Sequence, residues 1–280
     1  MRLFRCVSFL IVLVLLLTSC GSDVRLRSDE ARLWFFDVGQ ADCALIRTAN
    51  VTIVVDAGIS SDVDGEDVVK KLRRAGVKQL DMLVLTHPHS DHIGAAVAIM
   101  DAFAVSACLL PELVEDSTLF RDVMCALQEE ECRVLKAERG VSLTVGDFVV
   151  DVLSPPERHN EGLNADSAVL RIAFGDAVAL FMGDASAQIE GALLSLYGDE
   201  LKADILKVSH HGSKNSSISS FLRTVSPTYA VIACGAGNIY GFPAAEVLAR
   251  LDEINASVCR TDTDGTIAFK MLKNGDVFQK

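Results

Sequence analysis

Three histidines and one aspartate fall within a six-residue segment that directly follows the apolar run Met82–Leu85. The segment reads His87-Pro88-His89-Ser90-Asp91-His92. Histidines at positions i and i+2 of an extended segment project to the same side, so His87 and His89 can bind one cation, while Asp91 and His92 turn toward a second. A lone histidine is usually structural or exposed, but this grouping is hard to explain by packing and predicts a metal site.

The first 22 residues differ from the rest of the chain. Arg2 and Arg5 precede a short apolar run that ends in Leu17-Thr18-Ser19-Cys20, the pattern of an export signal. These last four residues resemble the bacterial lipobox, where the signal is cut and the new N-terminal cysteine is acylated. We therefore interpret residues 1–19 as a lipoprotein signal peptide, Cys20 as the lipidation site, residues 20–30 as a linker and residues 31–280 as the folded domain.

A plain transmembrane anchor is the alternative for this N-terminal segment. Residues 6–22 carry no charge and are barely long enough to span a bilayer. Under either interpretation the folded part is expected outside a bacterial cytoplasmic membrane, and the lipid-anchored form is the one we favour.

Composition limits the classes of partner. Half of the 280 residues are apolar, which is ample for a buried core, and the formal net charge is −12. This acidic balance opposes non-specific binding of polyanions and makes long duplex DNA a poor partner. The basic cluster Lys70–Arg74 lies among apolar residues at helical spacing, which favours a solvated helix face over a nucleic-acid patch.

Cys125 and Cys132 are the best-placed pair for a disulfide, but the sequence does not decide whether it forms.

Short apolar segments alternate with amphipathic segments throughout residues 31–280. The predicted strands are Leu33–Val38, Cys43–Arg47, Val51–Val55, Met82–Thr86, Phe148–Leu153, Ala168–Phe174, Ala177–Met182, Ile205–Val208, Ala230–Ala233, Thr266–Met271 and Asp276–Gln279. The predicted helices are Asp67–Ala75, Ile93–Phe103, Thr118–Gln128, Ala187–Tyr197 and Ala244–Ile254. Two groups of strands, each flanked by helices, predict an α/β fold of two sheets packed face to face with helices outside, a four-layer αββα arrangement.

The His-rich segment has the HxHxDH pattern of the metallo-β-lactamase superfamily, which the chain resembles. Together with it, five further motifs resemble in their order the hydrolase domain of the ComEC family of DNA-uptake proteins. These motifs are Phe36–Asp42, Val55–Gly58, Met182–Asp184, Val208–Ser213 and Tyr240–Pro243. The resemblance runs from about Leu33 to Val277 and implies the four-layer fold, two divalent metal ions, zinc or manganese, and a hydrolytic activity.

Matched position by position, the resemblance also implies a ligand set. His87 and His89 match the ligands of the first ion, and Asp91 and His92 match a pair on the second. Asp184 matches an aspartate that bridges the two ions, although a turn-capping aspartate is the alternative. By position His210 matches the last ligand of the second ion, which leaves His211 as a fallback ligand or as a proton donor to the leaving group.

Two further aspartates are candidates for holding the His-rich loop from behind. Asp56 resembles the residue that does so through hydrogen bonds in the superfamily, and Asp37 occupies a similar motif. Both residues fit turn positions equally well, because Asp-Ala-Gly and Asp-Val-Gly-Gln each mark a turn.

The chain departs from the family pattern at two places. Where most members supply a third histidine to the first ion, this sequence has Leu163–Ser167, in which Asn164 or Asp166 can offer an oxygen. Oxygen in place of imidazole shifts the preference from zinc toward manganese or magnesium. Phe242 stands where the ComEC pattern usually has histidine, which removes a polar contact to substrate.

Such a site predicts hydrolysis, since two cations can make water nucleophilic near neutral pH. Asp91 and Asp184 would orient the attacking water, and His211 or Tyr240 would protonate the leaving oxygen. The Asp91-His92 pair argues against a true β-lactamase, because enzymes of that kind lack histidine here and usually use a cysteine ligand. A phosphodiester is therefore the favoured substrate.

Several functions remain open from the sequence. The leading hypothesis is hydrolysis of single-stranded or short nucleic acid outside the cell, by an enzyme held to the membrane through an N-terminal lipid. The others are hydrolysis of a cell-envelope phosphoester of the phosphocholine or teichoic-acid type, esterase or lactonase action, and a non-catalytic envelope binding protein that keeps the metal for stability. The sequence indicates no particular protein partner.

Overall fold

The computed structural model of the chain describes residues 26–59, 66–112, 115–130, 132–156, 163–164 and 166–280. The predicted signal peptide, Cys20 and the first part of the linker lie outside these residues. Within the described part, no helix combines the length and the apolar character needed to cross a bilayer.

The first of two sheets has eight strands in the order β15-β14-β1-β2-β3-β4-β5-β6. Its strands are β1 (Glu30–Phe35), β2 (Ala44–Arg47), β3 (Thr52–Val55), β4 (Met82–Val84), β5 (Ala107–Leu110), β6 (Arg133–Lys136), β14 (Ile267–Leu272) and β15 (Val277–Gln279). The second sheet has seven strands in the order β13-β12-β11-β10-β9-β8-β7. Its strands are β7 (Ser142–Val145), β8 (Phe148–Ser154), β9 (Val169–Phe174), β10 (Ala177–Phe181), β11 (Ile205–Lys207), β12 (Tyr229–Ile232) and β13 (Ser257–Arg260).

Helices connect the strands and cover the outer faces of the sheets. They are α1 (Glu66–Arg74), α2 (Ser90–Ile93), α3 (Ala96–Ala102), α4 (Thr118–Glu129), α5 (Ala187–Tyr197), α6 (Ser219–Val225), α7 (Ala245–Glu253) and α8 (Thr261–Asp264). Short 3₁₀ turns follow α5 and β11.

Three apolar cores define the layers. The central core packs one sheet on the other, with Phe35 of β1 against Phe181 of β10 at 5.8 Å between ring centroids. Alternate residues of the two sheets point outward, where Val54 of β3 contributes to the core under α1, α3 and α4, and Leu180 of β10 to the core under α5, α6 and α7. Strands buried on both faces read as continuous apolar runs, which is the pattern of the sequence. The predicted four-layer αββα fold is confirmed.

The sequence prediction omitted six elements. The strands β5, β6, β7 and β13 and the helices α6 and α8 were not predicted. The helix predicted over Ile93–Phe103 is found as α3, and the short helix α2 precedes it and ends at Ile93, before Gly94. A Cβ on Gly94 would lie 2.9 Å from the carbonyl oxygen of Gly58, so glycine permits the close approach of these two backbone segments. Cys125 is exposed, Cys132 is buried, and both are free thiols.

Parallel pairing places the chemically important loops together. Strands β3, β4 and β5 run parallel in the first sheet, and β10, β11 and β12 run parallel in the second. The carboxyl ends of each parallel set therefore lie at one edge of their sheet. The loop after β4 meets the segment before β9, where the backbone N–H of Ala168 donates to the carbonyl of Thr86 at 2.8 Å. That segment in turn contacts the loop after β10, because the N–H of Asp184 donates to the Ser167 hydroxyl at 3.2 Å.

Candidate metal centre

Two groups of ligand atoms that share His92 meet at this edge. One consists of the buried residues His87, His92 and Asp184, and the other of buried His92 and His211 with half-buried Asp91. The carboxylates of Asp42 and Asp56 also lie close to His92, on its Nδ1 side. In each group the ligand atoms lie within 4.8 Å of one another, a spacing at which they can share an ion. The loop after β4, the loop after β10 and the turn after β11 therefore contribute to one site, as the sequence predicted for these side chains.

The HxH pair has the expected geometry. The His87 Nε2 and His89 Nδ1 atoms are 3.0 Å apart, and the ring centroids are separated by 4.7 Å. His87 is fully buried, whereas His89 is half-buried and its carbonyl begins α2 by accepting from the N–H of His92. The spacing at i and i+2 has thus brought both rings to the same side.

Asp184 lies between the two groups. Its Oδ2 atom is 3.7 Å from His87 Nε2, and its Oδ1 atom is 3.3 Å from His92 Nε2 and 3.9 Å from His211 Nε2. Each oxygen of the carboxylate thus faces a different set of imidazoles, which is the arrangement required of a bridging ligand.

The geometry favours His211 over His210 as a ligand. His211 is buried, its Nδ1 lies 2.9 Å from the carbonyl oxygen of Ala233, and its Nε2 is 3.3 Å from Asp91 Oδ2. The side chain of His210 is 29% exposed and its Nε2 lies 3.5 Å from Asp184 Oδ2, on the side that faces His87. The positions are the reverse of the match by sequence order, because the carbonyl of Ala233 holds His211 inward among the ligand groups and His210 lies at the rim.

The turn that carries the two histidines has an unusual backbone. His210 and His211 both have positive φ, 48° and 52°, a region that costs roughly 1–3 kcal/mol for each non-glycine residue. The following loop is held by Glu190, whose carboxylate accepts from the N–H groups of Ser217 and Ile218 at 2.6 and 2.8 Å. Burial raises the pKa of Glu190 to about 7, although these two hydrogen bonds oppose the shift.

Asp56 holds the His-rich loop from behind. Its carboxylate accepts from the N–H and the hydroxyl of Thr86 at 2.8 and 2.9 Å, and lies 2.8 Å from His92 Nδ1. This contact directs the Nε2 atom of His92 toward Asp184. The interactions are those predicted for Asp56, whose φ of 59° also shows that it occupies a tight turn.

A buried ion pair lies behind His211. The Lys207 Nζ atom is 2.6 Å from Asp42 Oδ2, and both side chains are almost completely buried. The other oxygen of Asp42 is 3.4 Å from His211 Nδ1. The sequence analysis did not identify either residue. A lysine inside the apolar strand Ile205–Val208 was the available signal, since lysine is almost never fully buried without a partner.

The charges in the site are strongly coupled. Burial lowers the pKa of His92, but the carboxylates of Asp56 and Asp184 outweigh burial and hold that pKa well above its ordinary value. Burial likewise opposes protonation of His211, and Asp42 and Asp91 raise its pKa to about 9. Burial would raise the pKa of Asp184, yet the neighbouring imidazoles hold it well below the usual range. The carboxylates therefore create a strong demand for positive charge.

The chemistry of the donor atoms fits divalent cations. Several buried polar atoms of the described residues have no hydrogen-bond partner, namely Asp184 Oδ1, His92 Nε2, His211 Nε2, Asn164 Oδ1 and Asp42 Oδ1. Buried polar atoms are rarely left without a partner, and three of these five belong to the ligand groups. Imidazole nitrogen with carboxylate oxygen suits zinc, manganese or iron.

The remaining predicted residues lie in different surroundings. Asn164 accepts from the N–H of Ser167 with its backbone carbonyl, and the Ser167 hydroxyl accepts from the N–H of Asp184, so the Asn164 loop adjoins the site. Asp166 instead lines a pocket with Arg139 and Gln188, which contains none of the candidate ligands. The structure thus places Asp166 outside the two ligand groups, and its role as a ligand stays a prediction.

Asp37 and Tyr240 also differ from their predicted roles. Asp37 is exposed and its carboxylate accepts from the N–H of Gly39, as in a simple turn, so it does not hold the His-rich loop. Tyr240 is 64% exposed and stacks on Phe242 rather than approaching the ligands. The predicted proton donation by Tyr240 is therefore not supported by its position.

We expect Lys207→Met to lower the free energy of unfolding by about 3–5 kcal/mol, because it leaves the buried Asp42 carboxylate without its cation. Urea denaturation in the presence of a chelator measures this loss. Adding Asp42→Asn should recover most of it, and Lys202→Met, which breaks an exposed pair with Asp199, should cost about 0.5 kcal/mol or less. Equal losses in the single and double variants would contradict the assigned pairing.

Binding of a divalent cation should release protons. His211, with a pKa of about 9, and His92 are protonated at pH 7 and must become neutral to act as ligands. Apparent affinity should therefore rise with pH up to about 9. Without a cation, the raised pKa of His211 stabilises the fold fully below its ordinary value of 6.5, and this contribution is lost as pH rises through about 9.

Calorimetry of zinc or manganese binding in two buffers of different ionisation enthalpy counts the protons. His211→Ala should release about one proton fewer than the unaltered chain. A proton count of zero, with an affinity that does not change between pH 6 and 9, would show that the cation does not displace protons from these imidazoles.

Comparisons with known proteins agree with this architecture. Residues 36–236 match the model of the Metallo-beta-lactamase superfamily. The chain is 35% identical over 249 residues to competence protein ComA of Neisseria gonorrhoeae, a match that covers 88% of this chain and 33% of that protein. It is 30% identical over 259 residues to ComE operon protein 3 of Bacillus subtilis, covering 87% and 33%. The chain thus spans about a third of the length of these relatives.

A solved structure shows the same fold at low sequence identity. The metallo-beta-lactamase fold protein YhfI from Bacillus subtilis superposes with a TM-score of 0.56 at 14% identity, covering 90% of this chain and all of the other. The chain belongs to the metallo-beta-lactamase superfamily, as a metal-dependent hydrolase with candidate ligands for divalent metal ions.

Proposed function

We propose that the chain hydrolyses phosphodiester bonds in short or single-stranded nucleic acid, using two divalent cations, zinc or manganese. The observation that carries the proposal is the position of Asp184, whose two oxygens face different groups of imidazoles. A pair of cations a few ångströms apart is the usual device for stabilising both the attacking and the leaving oxygen of a phosphoryl group.

The proposed ligand sets follow from the contacts. His87 and His89 would hold one cation, with Asn164 Oδ1 as a candidate oxygen ligand, and Asp91, His92 and His211 would hold the other, with Asp184 shared. When bound, the cations would supply Lewis-acid stabilisation of the charge on the phosphoryl oxygens and lower the pKa of water. An oxygen ligand at Asn164 favours manganese over zinc at the first position.

Other side chains of this protein would orient the ligand rings and donate a proton to the leaving oxygen. Asp56, Asp42 and Lys207 fix the ring orientations of His92 and His211 from behind. His210, at the open rim beside Asp184, is placed to donate a proton to the leaving oxygen, and burial lowers its pKa although Asp184 opposes that shift. A general acid needs access to substrate, which the partly exposed ring of His210 has and the buried ring of His211 does not.

The net charge of the chain and its similarity to known proteins support a short or single-stranded substrate. The net charge of −12 disfavours a long duplex, whose binding depends on neutralising many phosphates. The relatives are competence proteins, which makes nucleic acid a reasonable substrate class. The acidic composition also favours a zwitterionic phosphocholine ester, which we keep as the second candidate.

A substrate panel tests the proposal. Purified protein with manganese or zinc would be offered a single-stranded oligonucleotide, bis-p-nitrophenyl phosphate, a phosphocholine ester and a lactone. We expect turnover of the first two, and preferred turnover of the phosphocholine ester would establish the second candidate. Turnover of none, with cations bound, would refute the enzyme hypothesis in favour of a binding protein.

Variants of the two adjacent histidines separate their roles. His211→Ala should lose a bound cation and reduce kcat/KM about 1,000-fold or more, whereas His210→Ala should keep both cations and lose roughly 100-fold, as expected for a general acid. Metal content by elemental analysis is the second readout. Retention of both cations in His211→Ala and loss of one in His210→Ala would restore the assignment based on sequence position.

We also propose that the enzyme is exported and held to the membrane by a lipid on Cys20. This rests on the residues that resemble a lipobox, which lie outside the described part of the structure. Labelling of cells with a radioactive fatty acid should mark the unaltered chain and not Cys20→Ser. An unlabelled chain that fractionates with membranes and keeps its first 19 residues would indicate the transmembrane anchor instead.

A further inference from the structure

Two stacked aromatic rings, one exposed and one half-buried, lie beside the candidate metal centre. The rings of Tyr240 and Phe242 have centroids 5.6 Å apart and planes inclined by 20°. Phe242 in turn meets the ring of His210 edge-on at 5.7 Å. We name Tyr240 and Phe242 the aromatic shelf. Since Tyr240 is 64% and the preceding Ile239 91% exposed, the loop presents apolar surface to solvent instead of burying it.

The loop that carries the shelf is held firmly. The side-chain amide of Asn238 donates to the carbonyls of Gly235 and Phe242 at 3.0 and 2.7 Å, and its oxygen accepts from the N–H of Phe242 at 3.0 Å. One side chain thus closes the loop with three hydrogen bonds. The rings are therefore pre-organised, which reduces the entropy cost of binding a ligand on them.

The shelf is tied to the turn that carries the paired histidines. The N–H of Ala244 donates to the carbonyl of Gly212 at 2.9 Å. Gly212 has a φ of +81°, and a Cβ there would lie 2.6 Å from Pro243 Cβ, so only glycine permits this contact. The shelf and His210 therefore keep a fixed relation to each other.

We propose that the aromatic shelf binds a nucleobase of the substrate, next to the phosphodiester at the metal centre. This inference rests on the proposed function and names the part of the substrate that the shelf recognises. Tyr240 offers an exposed aromatic ring, and stacking on aromatic side chains accepts any base because every base has a π-face. Stacking requires no positive charge, so it suits an acidic protein that cannot gain affinity from many phosphate contacts.

Phe242 gives the shelf its apolar character. Its ring carries no hydrogen-bonding group and lies against the ring of Tyr240 at 5.6 Å between centroids. The shelf is therefore suited to the face of a base rather than to a polar part of the substrate.

The test compares two substrates that differ only in a base. Hydrolysis of dithymidine phosphate is compared with that of an analogue in which one thymidine is replaced by an abasic tetrahydrofuran residue. We expect the unaltered chain to prefer the base-bearing substrate by roughly tenfold in kcat/KM, mainly through KM. Tyr240→Leu, which keeps apolar volume but removes the ring, should abolish this preference, and Phe242→Leu should reduce it.

Phe278→Leu is the matched control. Phe278, on β15, is also an exposed aromatic residue, at 45% against 64% for Tyr240. Its ring lies against the Lys270 Nζ atom, 4.8 Å from the ring centroid. This variant should keep the full preference for the base-bearing substrate. A preference that persists in Tyr240→Leu, or that is lost equally in Phe278→Leu, would overturn the proposal.

Binding measurements keep the test independent of turnover. Calorimetry with the full chain and a chelator present should show that dithymidine phosphate binds several-fold more tightly than its abasic analogue, and that Tyr240→Leu removes the difference. Equal binding of both compounds by the unaltered chain would refute the shelf even if the enzyme is active. Tyr240-dependent binding to phosphatidylglycerol vesicles without any base preference would assign the loop to the membrane surface and also refute it.

If the chain binds dithymidine phosphate with this preference but hydrolyses no phosphodiester, the proposed function is refuted and base binding by the shelf is supported. If it hydrolyses dithymidine phosphate and its abasic analogue equally, the proposed function is supported and base binding by the shelf is refuted.

Discussion

The contact of Asp184 with His87 and His92 joins the two halves of the molecule. Asp184 follows β10 of the seven-stranded sheet, whereas His87 and His92 follow β4 of the eight-stranded sheet. This meeting depends on the central core, in which both sheets bury their inner faces against each other. Neither sheet alone provides the candidate centre, so the face-to-face packing of the sheets is a requirement of the chemistry as well as of stability.

Burying so many ionisable groups at the candidate centre costs free energy of desolvation, and contacts between these groups offset part of that cost. The Asp42 carboxylate faces Lys207, the Asp56 carboxylate faces His92, and the ring of His211 is oriented by the carbonyl of Ala233. Groups held in this way are ready to exchange protons for a divalent cation without rearrangement. The positive φ values of Asp56, His210 and His211 indicate that the backbone accepts strain at the same positions.

Local patterns were predictable from the sequence, and long-range pairings were not. The His-rich segment could be recognised because its candidate ligands lie within six residues after an apolar strand, and Asp184 and the adjacent pair His210 and His211 because they follow similar strands. The pairing of Asp42 with Lys207 joins distant parts of the chain, so no spacing rule reveals it. The choice between His210 and His211 depends on the carbonyl of Ala233, which lies on a different strand end.

The missed elements have a similar explanation. The strand β6 lies at a sheet edge with most of its residues exposed or half-buried, and β7 alternates exposed with half-buried residues at the opposite edge of the other sheet. Such strands lack the continuous apolar run that marks a central strand. The break between α2 and α3 depends on backbone contact between Gly94 and Gly58, which becomes visible only in three dimensions.

Anomalous diffraction from crystals grown with manganese would test the central claim most directly. The account predicts two peaks on opposite sides of the Asp184 carboxylate, one beside His87 and His89 and the other beside Asp91, His92 and His211. No peak at Asp184, or a single ion held away from these side chains, would contradict it.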